Sequence, residues 1–437
     1  VNHVKSLLRS PLVIVTVAFA LRMGFVLAFH FYRFSRNPST FAFGWEMGSV
    51  AHSIATGQGF GSPCTIPSGP TAMIPPVFPF LLAGIFKLFG VYSDASGLVI
   101  LGLNCVFSSL TCLVIVWMGR RTLGEAAGLV AAWIWAFWPM AFWEAHRVWE
   151  TSLSAFLFGL VFISVLELES RHHVFALGCG LLWGVTALTN PAILAFLVPA
   201  VAWQWLVKSG TVYRRHLFAA TATALLSISP WVVRNYVAFH RFIPIRDNFA
   251  FELYLGNHPM EAGANRFLVH ICNNDVEAAK FRSMGELAYI EAKKQETFAY
   301  IAHDPGNFAK QVVGRVFDVW GGTRTIWLDM DVDASARKTL TETLTLGKHV
   351  LFITSSGLAL WGLFLAFRRK VRGAELLLFM VLFPPLPYYF THAENKYRHP
   401  LEPSLMLLAA APVVMLWARK YSPRPHREEE EPPAKAA

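Results

Sequence analysis

Ten apolar runs divide this chain, and most of the short lysine and arginine clusters at their ends fall where an even number of runs has been passed. The runs read as about Leu12 to Tyr32, Ala95 to Met118, Ala126 to Met140, Thr151 to Leu166, Val174 to Thr189, Ile193 to Val207, Leu217 to Val233, His349 to Phe367, Ala374 to Phe390 and Leu401 to Trp417. A helix needs about 20 apolar residues to cross the ~30 Å hydrocarbon core, and these runs approach or reach that length. With the N-terminus inside, Lys5 and Arg9, Arg120-Arg121, Arg171, Lys208 with Arg214-Arg215, Arg368-Arg369-Lys370-Arg372, and Arg419-Lys420 all lie on one side, as the positive-inside rule requires. The net charge of +10 therefore reports topology and not a nucleic-acid footprint. Hydrophobic residues at 54% and charged residues at 15% exclude an ordinary soluble domain. The expected fold class is an all-α polytopic membrane protein with both termini cytoplasmic.

The same parity decides shorter features. Pro75 to Gly90 (PPVFPFLLAGIFKLFG) is apolar, but Pro79 interrupts it, and counting it as a crossing would move most basic clusters outside. It is expected to be an interfacial or re-entrant helix. Asn190-Pro191 splits a long run at a tight outer turn, because proline lacks a donor and biases its predecessor out of the helix. The first run lacks a small-residue cleavage pattern and is expected to persist as the first span. Four regions follow: a membrane module over 1–233 with a large first outer loop, a second outer loop over 234–348, C-terminal spans over 349–418, and a disordered cytoplasmic tail over 419–437. Within the second loop, Asn274 to Ile301 reads as an amphipathic, soluble helix. Cys105, Cys112 and Cys179 lie in apolar runs as packing residues. Cys64 and Cys272 fall in the two outer loops, and spacing alone does not decide whether they pair.

Polar and ionisable residues collect on the outer side in four places: Glu46 with His52; Glu144, His146, Arg147 and Glu150; Arg234 to Asn257; and His392 to Arg398. Charges at membrane depth are costly, so four such groups at one face point to an outward-facing cavity. Glu46, a lone carboxylate in FAFGWEMGSVAHSIATGQGF, can accept a proton; the plainer reading is a carboxylate that solvates its loop. Arg234, Lys396 and Arg398 can hold a phosphate, or can snorkel to lipid headgroups. Glu150 can point into the cavity, orient an acceptor or contribute to a metal site, or can serve only as a helix N-terminal carboxylate. Arg22, inside the first run, must pair with a neighbouring span or reach lipid phosphate. The chain contains no GxxxxGK[ST], HExxH or GxSxG, which leaves an ATP-driven pump, a zincin and an α/β-hydrolase without support. No metal-ligand spacing or cofactor motif stands out, and a divalent metal has no support in the sequence.

The motifs GWEMGSVAHSIATGQGF, PTAMIPPVFPFLLAGIFKLFG, GRRTLGEAAG, LTNP, PWVVRNYVAFHRFIPI with LYLGNHP, and KYRHPLEP occur in an order and on sides that resemble the GT-C superfamily of membrane glycosyltransferases. The likeness is to the family 39 group with protein O-mannosyltransferases and the lipid A aminoarabinose transferase. It implies a GT-C fold with about ten spans, interfacial helices in the first outer loop and a large outer loop before the last three spans. It further implies an inverting sugar transfer from a polyisoprenyl-phosphate donor to a lipid, glycan or protein acceptor, at the outer face of a bacterial cytoplasmic membrane. Glu46 would be the general base, Glu150 a second catalytic acid, and Lys396 and Arg398 the late basic pair. His52, His146, Arg147, Asn235 and Tyr397 join Arg234 as candidate substrate-binding residues. Many relatives carry Asp where this chain has Glu46. Two other readings compete: a lipid-linked sugar transporter, disfavoured by the absence of a visible repeat, and a non-catalytic polyprenyl-phosphate binder.

Overall fold

The structure, a computed structural model, describes residues 8–34, 43–64, 66–168, 172–208, 210–258, 268–323 and 334–421. Among these, every regular element is helical, apart from an isolated bridge between Gly61 and Pro70. Five helices are long and apolar enough to cross a membrane, including Pro11–Ala28, Asp94–Arg121 and Thr211–Phe239. The pair Glu125–Phe137 and Pro139–Ala145, bent by 57°, makes a sixth. The shorter apolar helices Thr151–Glu167, His173–Thr189, Ile193–Val207 and Ala374–Phe390 occupy the remaining expected runs, so the chain is an integral membrane protein of the expected all-α class. The tail beyond Tyr421, with Lys5 and Arg171, lies outside the described residues.

Two of the expected spans are broken, and proline explains both. At Trp138-Pro139 the missing N–H cannot bond the carbonyl of Trp135, and the chain turns there. Buried Arg22 takes over that carbonyl: its guanidinium donates to Trp135 O at 2.8 Å, Ala136 O at 3.2 Å and Ser108 Oγ at 2.8 Å. The charge in the first span thus caps a neighbouring broken helix. At Phe383-Pro384-Pro385 the expected run from Ala374 to Phe390 divides into Ala374–Leu382 and Leu386–Phe390. Both breaks lie toward the end of the bundle that carries the polar groups.

Small residues set the tightest helix contact. A Cβ at Gly180 would overlap the carbonyl of Ala220, and one at Gly184 would overlap Ser227 Oγ. These glycines, one helical turn apart, let His173–Thr189 lie directly against Thr211–Phe239, as in small-residue packing within membranes. On the other side of the bundle, buried Glu167 receives Arg121 at 3.1 Å and Arg372 at 3.7 Å. Two clusters that the charge count placed on one side therefore meet at one carboxylate.

The outer segments are more helical than the sequence suggests. Trp45–Ala55 and Val77–Phe89 pack together in the first loop, and the latter, at 13 residues and roughly 20 Å, is too short to cross. In the second loop the single helix expected over Asn274 to Ile301 is two, Asp275–Met284 and Glu286–His303, divided at Gly285, whose φ of 79° is left-handed. Phe249–Asn257 and Pro305–Gly321 are additional helices there.

Candidate functional site

Glu46 stands in the first turn of Trp45–Ala55, where the helix dipole favours a negative charge. Its Oε1 lies 3.1 Å from His270 Nε2. His270 Nδ1 accepts the backbone N–H of Cys272 at 3.1 Å, so the proton of the neutral ring sits on Nε2 and points at Glu46. The carboxylate is held by a donor from the second outer loop.

A second carboxylate, Glu252 on Phe249–Asn257, is close enough to Glu46 for the two to repel. Burial, then Glu46, raises its pKa against the pull of Arg246, His270 and Lys396. Asn248 donates to its Oε1 at 2.8 Å, and His392 Nδ1 lies 3.6 Å from its Oε2. That approach depends on Gly256, one turn further along the helix, because a Cβ there would overlap the carbonyl of Thr391. His392 Nε2 in turn lies 2.8 Å from Tyr397 Oη, and Tyr397 stacks on Tyr388 with centroids 4.1 Å apart.

Lys396 completes the enclosure. Its Nζ lies 3.0 Å from Glu394 and 4.4 Å from the centre of the Trp149 ring. Lys396 and Arg246 both act on Glu150, whose pKa burial nevertheless pushes up to about 7. One Glu150 oxygen, Oε2, is buried without a hydrogen-bond partner among the described residues. Near neutral pH that carboxyl can donate or accept, as a group that reads a hydroxyl needs to.

Of the residues singled out in the sequence, Glu46, Glu150, Lys396 and Tyr397 thus converge through Glu252, and Arg147 lies at the edge, 3.6 Å from Glu144. The others do structural work in this structure. Arg234 donates to Thr71 O at 2.7 Å and to Phe60 O, and its guanidinium lies over the Phe60 and Trp231 rings. Arg398 is fully buried among backbone carbonyls and serine hydroxyls. Asn235 caps the turn after its helix by donating to Ile243 O and Ile245 O. His146 packs on Phe31 with centroids 4.2 Å apart, and burial pushes its pKa down to about 3. His52 stacks on Tyr92. An arginine beside a membrane end satisfies stray carbonyls as readily as a phosphate, and in this structure Arg234 and Arg398 bond carbonyls.

Glu252, Arg246, His392 and Glu394 fall in stretches the sequence marks as polar groups without a role of their own, whereas His270, Trp149 and Tyr388 carry no such mark. Glu252 carried a signal: it is a lone acid among aromatics in FAFELYL, much as Glu46 is in FAFGWEM. His270 carried none, since only the fold brings it to Glu46.

Behind the site, Glu286 Oε1 accepts the N–H of Ala72 at 2.6 Å. Burial, then Asp247, pushes the Glu286 pKa up to about 8, and burial raises Asp247 to about 6. A carboxyl raised in the folded state gives its full stability at low pH and loses it as pH rises through the folded value. Docking of the first loop on Glu286–His303 should therefore weaken as pH rises from the ordinary carboxylate range to about 8. Hydrogen exchange at the Ala72 amide should accelerate over that range in the wild type, beyond the intrinsic pH effect, and stay flat in Glu286→Gln, which keeps the acceptor without the charge.

Residues 74–233 match the family described as dolichyl-phosphate-mannose-protein mannosyltransferase. A comparison with curated proteins gives no match. Among solved structures, the apo oligosaccharyltransferase of Archaeoglobus fulgidus aligns with a TM-score of 0.53 at 13% identity, over 94% of this chain and 51% of that one. ArnT from Cupriavidus metallidurans bound to undecaprenyl phosphate aligns at 16% identity over 85% of this chain and 72% of that one, with a TM-score of 0.38. The chain spans about half the length of the archaeal protein it matches. The likeness to that oligosaccharyltransferase is one of fold, and the family match covers the membrane module from Ile74 to Val233.

Proposed function

We propose that this chain transfers a sugar from a polyisoprenyl-phosphate donor to an acceptor hydroxyl at the outer face of the cytoplasmic membrane, with inversion, and that Glu46 is the general base. The observation that carries this reading is a carboxylate held by His270 in the same enclosure as two cations, Lys396 and Arg246, that are electrostatically in reach of the other acids. The description of the matched family, which names a dolichyl-phosphate sugar and a protein acceptor, supports the donor class.

In this mechanism Glu46 takes the proton of the acceptor hydroxyl as its oxygen attacks the anomeric carbon, in line with and opposite the phosphate. The bond from that carbon to the phosphate oxygen breaks, and the electron pair leaves with the polyprenyl phosphate. Lys396 and Arg246 offset the negative charge that grows on the leaving group. They take the part the sequence suggested for Arg234 and Arg398, each of which donates to backbone carbonyls in this structure. Glu150, titrating near 7, orients a sugar hydroxyl.

The test is turnover by the purified chain in lipid nanodiscs, using polyprenyl-phosphate sugars radiolabelled in the sugar. The expected result is release of polyprenyl phosphate with the label joined to an acceptor in the inverted anomeric configuration. Retention of configuration would overturn the single-displacement mechanism, and binding of donors without any turnover would make the chain a binder.

A further inference from the structure

We propose that His270 is a positioning residue for Glu46 and that the Cys64–Cys272 disulfide holds it there, so that transfer depends on the oxidised bridge. The proposal rests on the reading of Glu46 as base. The two cysteines are 208 residues apart in sequence and 5.1 Å apart at Cα. Cys272 is the residue whose N–H engages His270 Nδ1, so the bridge and the histidine are joined through one residue.

The other end of the bridge is well anchored. Cys64 lies in the loop closed by the Gly61 to Pro70 bridge, with Ser62 N–H donating to Gly69 O at 2.9 Å. At the base of that loop Arg234 holds the carbonyls of Phe60 and Thr71, and Glu286 holds the N–H of Ala72. A continuous path therefore runs from the Thr211–Phe239 helix through Arg234, the Cys64 loop and the disulfide to His270, and from it to Glu46. This gives Arg234 a part in the site that is remote from any phosphate.

The chemistry explains why such a tie matters. A general base must keep one carboxylate oxygen aimed at the acceptor, and Glu, with one more methylene than Asp, has an additional torsion to restrain. The His270 N–H on Oε1 restrains it, leaving Oε2 for the acceptor proton. Reduction by a dithiol opens the bridge: the dithiol gives two electrons and two protons, closes its own disulfide, and leaves Cys64 and Cys272 as thiols. Cys272 then loses its covalent tie to the anchored loop, and the orientation of His270 loosens with it.

The experiment compares His270→Ala, His270→Gln, the Cys64→Ser/Cys272→Ser double variant and dithiol-treated wild type in nanodiscs, with Glu46→Gln alongside. Loss of one hydrogen bond to a charged group corresponds to about a 10- to 100-fold fall in kcat for His270→Ala. The KM for donor should stay within about twofold, because a base acts after donor binding. His270→Gln, whose amide N–H reaches the same place, should recover most of the loss. The double variant and the dithiol-treated protein should both fall about tenfold, the latter recovering on reoxidation. A residue that only maintains the fold would instead lower the folded yield and leave kcat per folded molecule unchanged. Unchanged kcat in His270→Ala overturns the proposal, as does unchanged kcat in wild type whose two thiols are shown free by mass spectrometry. The dithiol arm needs no variant to fold. Should Glu46→Gln also retain full activity, it is the assignment of the base that fails.

Discussion

Glu46→Gln is expected to lower kcat by about 10²- to 10⁴-fold, the usual contribution of a positioned general base, and to leave donor binding and membrane insertion intact. The substitution preserves shape, and the amide oxygen still accepts the N–H of His270 at the position Oε1 now occupies. What it removes is the basic lone pair and the negative charge. Loss of that charge also relieves the repulsion on Glu252, so folding should be unaffected or slightly favoured. Single-turnover transfer from a radiolabelled donor measures the first effect, and donor affinity by calorimetry checks the second. A rate within tenfold of the wild type would transfer the role to Glu252, the other acid in the same enclosure, and Glu252→Gln would then be the inactive variant.

The architecture was legible because it is written in quantities that local sequence carries. Long apolar runs report spans, and the side of a basic cluster reports parity, which is why the charge count puts Arg121 and Arg372, 251 positions apart in numbering, on the side where both meet Glu167. Prolines were harder to read. Pro79 was taken into account, whereas Pro139 and the Pro384-Pro385 pair were absorbed into spans that they break, since hydropathy does not register a missing donor. The acids of the site were partly legible for the same reason as the spans. A carboxylate among apolar residues is costly wherever it lies, so Glu46 and Glu150 stood out, and Glu252 had the same setting. The partners were not legible. That His270 meets Glu46, that His392 meets Glu252 and that Cys64 meets Cys272 depend on how two outer loops fold over one another, which leaves no mark in spacing.

The contrast between Arg398, bonded to carbonyls and hydroxyls, and Lys396, set among carboxylates, can be turned into a measurement. Arg398 donates to Trp320 O at 2.8 Å, Ser355 Oγ at 2.7 Å and Ser356 Oγ at 2.9 Å, lies 4.2 Å from the centre of the Phe352 ring, and has Glu402 at 3.7 Å. It fastens the end of Pro305–Gly321 and the Ala334–Arg368 helix to the start of Glu402–Tyr421. Arg398→Met removes these donors while leaving Glu402 buried, and breaking one side of such a pair costs about 3–5 kcal/mol. The expected result is a large fall in thermal stability in detergent, read as a shortened half-life because unfolding of a membrane protein is seldom reversible. Molecules that remain folded should transfer at a near-normal rate. Lys396→Gln should show the opposite balance: a smaller loss of stability, since Gln can still donate to Glu394, and kcat/KM for the donor lower by about 10- to 100-fold, because a cation is missing where phosphate charge develops. It also withdraws positive charge from Glu150, whose titration near 7 then moves upward, so part of the loss should be recovered as pH is raised. If Arg398→Met were stable and inactive while Lys396→Gln kept full activity, the phosphate would sit against Arg398, and the cation roles assigned from the geometry would have to be exchanged.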